Sequence, residues 1–260
     1  MRIIFWAGDS TNTENKAHNY PQTGIAQAFD RYTASDVVIY NHAVNGRSTK
    51  SFIDQGRLET IYNEITEDDF LFIQFGHNDE KSADPLRYTD PDDDFIVNLG
   101  RFAKSAKNKR AYPVFITPVE RRLFNEDGFT LKSPSAHKPY VDAYFEAGRR
   151  YDVPVIDLWS LSRAFLERRG DKASVRYFMH LKPGEAFWCP KGQEDNTHLK
   201  YEGAMAFGKL IAEELYRMDD IYSSLIDPKV LSALNDHSGT SVINEDLIDE
   251  KNIINNVYRE

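Results

Sequence analysis

Five short apolar segments, separated by longer amphipathic ones, constrain most strongly how this chain can fold. The apolar segments cover residues 3–7, 36–43, 70–75, 113–117 and 153–158. They are rich in β-branched and aromatic residues, which is typical of strands buried on both faces. Strands that alternate with helices pair in parallel through right-handed crossovers. The sequence therefore predicts an α/β domain with a five-stranded parallel sheet between helices.

The segments between these strands carry apolar residues three or four positions apart, as amphipathic helices do. Five such patterns lie around residues 25–32, 52–65, 95–106, 140–151 and 204–215. A chain of 260 residues is long enough for one such domain with a substantial core. We place that domain at residues 1–218.

Composition excludes several other classes of protein. The single cysteine, Cys189, rules out an internal disulfide, and a net charge of −9 argues against nucleic acid as a partner. No apolar stretch approaches the ~18 residues of a membrane span. After Arg2 only residues 3–7 are apolar, too few for the ~7–15 residues of a signal-peptide core. We expect a cytoplasmic protein that does not bind membranes.

In open parallel sheets, ligands bind beyond the carboxyl ends of the strands, so the residues that follow each strand are the candidates for a site. They are small, polar or basic: Gly8-Asp9-Ser10, Asn45-Gly46, Gly76-His77-Asn78-Asp79 and Arg121-Arg122. Asp195 and His198 stand three apart, which we interpret as the entry to the last helix. The sequence predicts that these residues meet at one edge of the sheet.

Ser10 has two interpretations. Thr11 and Glu14 have the spacing of a capping box, so this segment could simply begin a helix. Alternatively, Ser10 is a nucleophile, which needs an imidazole to accept its proton and a carboxylate to orient that imidazole. His198 and Asp195 provide both groups.

Gly8-Asp9-Ser10, Asn45-Gly46, Gly76-x-Asn78-Asp79 and Asp195-x-x-His198, in this order, resemble the four sequence blocks of SGNH/GDSL hydrolases, and the resemblance covers nearly the whole chain to about Arg217. FIQFGHND, ITPVERR and DNTHLKYEGA are similar to the rhamnogalacturonan acetylesterase branch. The resemblance implies a flavodoxin-like sheet ordered 2-1-3-4-5. It also implies catalytic residues Ser10, Asp195 and His198, and an oxyanion hole made by Ser10, Gly46 and Asn78.

This resemblance further implies a serine esterase that removes O-acetyl groups from pectin-derived oligosaccharides through an acyl-enzyme, with no cofactor or metal. Arg121, Arg122 and Trp188 are candidate contacts for a saccharide that carries uronic carboxylates. Another acetylated saccharide, such as xylan fragments, is the alternative substrate.

Three other classes remain open from the residues alone. A flavin-binding flavodoxin-like protein would use the Ser/Thr/Asn-rich residues 10–15 as a phosphate loop. A metal-dependent hydrolase would use Asp9, His77, Asp79 and His198. A carbohydrate-binding relative without activity would lack a complete triad. For His77 we predict a place in the pocket floor and no catalytic role. His42, His137, His180 and His237 are predicted to be structural or exposed.

Residues 219–260 form an acidic C-terminal extension. Ile243, Leu247, Ile254 and Tyr258 predict one more amphipathic helix. We expect this extension to dock on its own domain or on a second subunit, as a homo-oligomer contact, and to be dispensable for chemistry.

Overall fold

A five-stranded parallel sheet forms the centre of the molecule in the computed structural model, which describes residues 1–236. The strands are β1 (Arg2–Gly8), β2 (Val37–Asn41), β3 (Phe70–Gln74), β4 (Tyr112–Ile116) and β5 (Val155–Ile156). They lie in the order β2-β1-β3-β4-β5, and every neighbouring pair is parallel. This confirms the predicted sheet and its flavodoxin-like strand order.

Nine α-helices surround the sheet in the described part of the chain. They are α1 (Ile25–Ala28), α2 (Thr49–Asp54), α3 (Arg57–Glu64), α4 (Asp94–Lys107), α5 (Lys138–Tyr151), α6 (Leu158–Ser174), α7 (Tyr201–Arg217), α8 (Asp220–Ser223) and α9 (Pro228–Asp236). The predicted helix around residues 52–65 is instead α2 and α3. Gly56 separates them because its φ of 72° is a left-handed conformation that a helix cannot contain.

Successive strand residues point to opposite faces of the sheet and build two separate cores. Ile4 and Trp6 of β1 belong to one core, which includes apolar residues of α1, α6 and α7. Phe5 and Ala7 belong to the other, which α2, α3, α4 and α5 cover. Both faces of the central strands are therefore buried, as their apolar sequences predict, and the fold has three layers. The edge strand β2 differs from the prediction, because Val38 and Tyr40 on one of its faces are exposed.

The helix α6 and a second, two-stranded sheet are absent from the sequence prediction. The buried stripe of α6 runs through Leu158, Ser162 and Leu166, and the serine in its middle disguises the apolar period. The buried position tolerates a serine because the Ser162 hydroxyl accepts a hydrogen bond from the Glu120 backbone at 2.9 Å. The second sheet pairs β6 (Phe178–Leu181) with β7 (Gln193–Leu199) in antiparallel orientation.

Beyond α7 the chain packs into the core that contains Ile4 and Trp6. Leu225, Ile226 and Leu231 are buried there, and the Leu225 carbonyl accepts a hydrogen bond from the Ala34 backbone at 2.9 Å. Contact with a second subunit stays a prediction, and the helix predicted from residues 243–258 lies outside the described residues. Up to residue 236, no helix is both long and apolar enough to cross a bilayer.

Candidate active site

Ser10 lies at the carboxyl end of β1, which β2 and β3 flank in the sheet. Asp9 holds the turn in shape, because its Oδ1 accepts hydrogen bonds from the Thr11 backbone at 3.0 Å and the Thr11 hydroxyl at 2.9 Å. No helix begins at Thr11, since α1 starts only at Ile25, so the capping-box interpretation is wrong. The turn presents a serine at the edge where a parallel sheet binds ligands.

The second sheet brings Asp195 and His198 to this turn. On β7, Glu194 pairs with His180 and Leu199 pairs with Phe178, so three extra residues of β7 bulge out between the two pairs. Asp195 and His198 lie in this bulge, not at a helix entry as predicted, because α7 begins only at Tyr201.

Main-chain hydrogen bonds attach the end of β7 to the nucleophile turn. The Leu199 carbonyl accepts from the Thr23 backbone at 2.9 Å, and the Thr11 carbonyl accepts from the Ile25 backbone at 2.8 Å. The short segment from Thr23 to Ile25 therefore connects the two catalytic elements, which are 188 residues apart in sequence between Ser10 and His198.

A hydrogen-bonded chain joins Ser10, His198 and Asp195. The His198 Nε2 lies 2.9 Å from the Ser10 Oγ, and its Nδ1 lies 2.6 Å from the Asp195 Oδ2. The other carboxylate oxygen of Asp195 accepts from the backbones of Thr197 and His198 at 2.8 and 2.9 Å. Both carboxylate oxygens of Asp195 are thus held by hydrogen bonds.

The charge on Asp195 sets the tautomer of His198. Burial alone would raise the pKa of Asp195, but its hydrogen bonds to His198 and the nearby imidazole charge lower that pKa to about 2. An ionised carboxylate can only accept, so Nδ1 of His198 carries the ring proton and Nε2 is left to accept. That arrangement allows Nε2 to take the proton of the Ser10 hydroxyl.

Gly46 and Asn78 follow the strands on either side of β1. Gly46 has a φ of 74°, which favours glycine, and a Cβ there would approach only the Arg87 side chain, at 3.8 Å. Asn78 is buried, and its amide nitrogen donates to the Arg47 carbonyl at 3.0 Å while its oxygen accepts from Lys81 at 2.9 Å. These bonds orient the carboxamide, and its second N–H remains for another acceptor.

The three candidate saccharide contacts all have protein partners. The Trp188 indole N–H donates to the Tyr20 carbonyl at 2.8 Å, and the side chain packs against a small apolar cluster that includes Leu181. Arg121 and Arg122 both bind residues of the β7 bulge rather than pointing away from the protein. A contact between any of these three side chains and a substrate stays a prediction.

A buried row of ionisable groups lies beside the nucleophile turn, and sequence reasoning missed it apart from placing His77 in the pocket floor. His77 is 3.3 Å from Asp9, and its ring packs edge-on against His137 with centroids 4.4 Å apart. His137 in turn lies 2.7 Å from a carboxylate oxygen of Glu80. Burial, and then the proximity of His137, lower the pKa of His77 to about 4.

The alternative site classes find little support in these contacts. In the flavin alternative Thr11 and Asn12 would face a phosphate, but both are buried and Thr11 bonds Asp9. In the metal alternative Asp79 would be a ligand, but its Oδ1 binds Thr49. Among residues 1–236, no group of three or more His, Cys, Asp or Glu side chains is placed to hold a metal ion.

A three-layer α/β fold with a serine, an imidazole and a carboxylate aligned at the edge of its sheet defines a serine hydrolase. The chain belongs to the GDSL-like lipase/acylhydrolase family, whose model matches residues 6–203. This confirms the predicted superfamily and a carboxylic ester hydrolase as the class of enzyme.

Named relatives include two acetylesterases. The rhamnogalacturonan acetylesterase RhgT of Bacillus subtilis is 41% identical over 210 residues, which cover 81% of this chain and 88% of that protein. A rhamnogalacturonan acetylesterase of Emericella nidulans is 37% identical over 219 residues, covering 78% of this chain and 80% of that protein.

Solved structures share the fold at lower identity. The Bacillus subtilis protein YxiM superposes with a TM-score of 0.70 at 23% identity, over 83% of this chain and 56% of that one. Axe2, an acetylxylan esterase from Geobacillus stearothermophilus, gives a TM-score of 0.58 at 13% identity, over 82% of this chain and 93% of that one. At these identities the likeness concerns the fold alone.

Proposed function

We propose that this protein is a carbohydrate acetylesterase that removes O-acetyl groups from pectin-derived oligosaccharides of the rhamnogalacturonan type. The observation that carries the proposal is the hydrogen-bonded chain from Ser10 through His198 to Asp195. Relatives that are named rhamnogalacturonan acetylesterases support the choice of substrate. The cytoplasm as the place of action is a prediction from the sequence.

In the proposed reaction, the Ser10 Oγ attacks the acetyl carbonyl carbon as His198 Nε2 accepts the hydroxyl proton. The carbonyl oxygen gains negative charge, which hydrogen-bond donors aimed at it stabilise. We assign this role to the backbone N–H groups of Ser10 and Gly46 and to the second N–H of the Asn78 amide. His198 then gives its proton to the departing sugar oxygen, and the acetyl group stays on Ser10.

The second half of the reaction uses the same groups in reverse. Water enters in place of the sugar, and His198 Nε2 accepts one of its protons as the oxygen attacks the acetyl-Ser10 carbonyl. Collapse of the resulting oxyanion breaks the bond to Ser10 Oγ, which recovers its proton from His198, and acetate leaves. The carboxylate of Asp195 stabilises the imidazolium that forms in each half.

Acetate release separates this proposal from its alternatives. The wild-type protein is expected to release acetate faster from acetylated rhamnogalacturonan oligosaccharides than from acetylated xylan oligosaccharides. Ser10→Ala is expected to lose several orders of magnitude in kcat on both, because the nucleophile is gone. Ser160→Ala, at an exposed serine of α6, is the matched control. A Ser10→Ala enzyme with near wild-type turnover would contradict the mechanism, and a preference for xylan would contradict the substrate.

A further inference from the structure

Two consecutive arginines hold the segment that carries the acid–base pair. We infer that Arg121 and Arg122 are positioning residues for residues 195–198, which we name the acid–base segment. This inference rests on the proposed function, because it assumes that His198 acts as the base. It replaces a saccharide-binding role for both arginines.

The acid–base segment needs such support because its backbone lies outside the β6–β7 pairing. The pairing stops at Glu194 and resumes at Leu199, so no residue of Asp195–His198 is paired with β6 through its backbone. Bulged residues lack the regular backbone hydrogen bonds between strands that would fix their position. Other groups must therefore set where the His198 ring lies relative to Ser10.

Arg122 binds Asn196, the residue after Asp195. Its backbone N–H donates to the Asn196 carbonyl at 2.9 Å, and its Nη1 donates to the Asn196 Oδ1 at 2.7 Å. The rest of the guanidinium is anchored at the end of α6, where Nη2 donates to the Asp171 carbonyl at 2.7 Å and Nε to the Ser174 hydroxyl at 3.1 Å. The Asp171 carboxylate also pairs with it. With 6% of its side chain exposed, Arg122 has little surface for a saccharide.

His180, on the neighbouring strand β6, also binds the side chain of Asn196. Its Nε2 lies 2.8 Å from the same Asn196 Oδ1. Because arginine can only donate, the atom it shares with His180 must be the amide oxygen, and His180 Nε2 must also donate to it. Two donors from separate elements thus fix the one side chain that follows Asp195.

Arg121 binds Thr197, the residue before His198. Its Nε lies 3.2 Å from the Thr197 Oγ1 and donates to it, and its Nη1 forms an ion pair with Glu80. Glu80 contacts His137, which packs on His77, which contacts Asp9 beside Ser10. The row of buried groups therefore runs from the nucleophile turn to the acid–base segment. One end of the row contacts the turn that carries Ser10, and the other end contacts the segment that carries His198.

These contacts account for the charges of both arginines without a substrate. Arg121 is paired with Glu80 and Arg122 with Asp171. A uronic carboxylate would therefore compete with a carboxylate that already neutralises each guanidinium. Orientation of the base is worth much in rate, because a displacement of about 1 Å can cost ~10²-fold. The geometry favours a role in kcat over a role in substrate affinity.

Kinetics of arginine variants on two acetyl esters test the inference. Arg122→Met is expected to lower kcat by ~10²-fold, with little change in KM, on both 4-nitrophenyl acetate and acetylated rhamnogalacturonan oligosaccharides. Arg122→Lys keeps the charge but not the planar fork, so it is expected to recover only part of kcat. Arg150→Met, on the exposed surface of α5, is the matched control and is expected to keep wild-type kinetics.

Two further variants show that the effect passes through the acid–base segment. Asn196→Ala is expected to lower kcat, and adding Arg122→Met to it should cause little additional loss, because both remove the same contact. Thr197→Val, which deletes only the hydroxyl that Arg121 binds, is expected to lower kcat with KM preserved. Thr197→Val also decides the question if Arg122→Met fails to fold.

Opposite outcomes would overturn the inference. A higher KM for the oligosaccharide alone, with kcat unchanged, would show that the arginines bind substrate. A lower melting temperature with unchanged kcat at a temperature where the variant is folded would show a purely structural role. Since 4-nitrophenyl acetate carries no sugar, an error in the proposed substrate would leave this test intact, and Ser10→Ala tests the mechanism separately.

Discussion

Replacing Asp195 by asparagine should separate the orientation of the base from the integrity of the fold. The asparagine oxygen can replace Oδ1 and keep the hydrogen bonds from the Thr197 and His198 backbones at 2.8 and 2.9 Å. Its amide nitrogen would then take the place of Oδ2, 2.6 Å from His198 Nδ1. Because that nitrogen donates, Nδ1 must accept, and the ring proton moves to Nε2. His198 would then face Ser10 with a donor instead of an acceptor.

The expected loss follows from this change of tautomer. In Ser-His-Asp triads, loss of the orienting carboxylate with the geometry intact costs roughly 10⁴-fold in kcat, or about 5 kcal/mol of barrier. The cost in stability is smaller. The pKa of Asp195 is lowered to about 2 in the folded protein. Its ionised form therefore stabilises the fold at any pH above the pKa that Asp195 has in the unfolded state. This stabilisation is lost as the pH falls to about 2. At neutral pH this contribution is at most about 2.5 kcal/mol.

The assay is kcat on 4-nitrophenyl acetate, with thermal unfolding measured on the same samples. Asp195→Ala is the control, since it removes the oriented carboxylate and both backbone acceptors. It should lose similar activity and more stability than Asp195→Asn. An Asp195→Asn enzyme within tenfold of wild-type kcat would refute the assignment of this carboxylate as the partner of His198.

Two further predictions concern stability. Burial raises the pKa of Asp79 to about 7, so between pH 4 and 7 the folded state holds a proton that the unfolded state releases, and stability falls as pH rises. Asp79→Asn should remove this fall and gain up to about 4 kcal/mol relative to wild type over that range, measured by urea unfolding; parallel pH profiles would contradict it. Leu225→Ala, at a fully buried position, should lower the free energy of unfolding by about 2–5 kcal/mol and leave kcat unchanged. A loss below about 0.5 kcal/mol, which is typical of exposed positions, would show that this segment is not part of the core.

The apolar strands were predictable because burial on both faces leaves a continuous apolar run, as in the first four residues of β3, which are all buried. The positions of Ser10, Asp195 and His198 followed from strand ends and from family resemblance. The element that carries Asp195 and His198 was not predictable. The sequence of β7, QEDNTHL, has no alternating pattern, because pairing at its two ends rather than a buried face defines it.

The buried row beside the nucleophile could not be inferred from sequence for a different reason. His77, Glu80 and His137 are ordinary polar residues in the sequence, and only the fold places His137 against the other two. The partners of Arg121 and Arg122 were hidden in the same way, since Thr197 and Asn196 lie more than seventy positions away. Contacts between loops of distant strands leave no local periodicity to detect.

The bulge in β7 also bears on how this active site can be altered. Since pairing on both sides of the bulge secures its ends, the four residues between Glu194 and Leu199 form a cassette with fixed attachment points. An insertion or deletion within it would change which side chain meets Ser10 without shifting the flanking strand. Protein engineers could therefore exchange Asp195 and His198 within this short peptide, while Asn196 and Thr197 keep their arginine contacts and the parallel sheet stays in place.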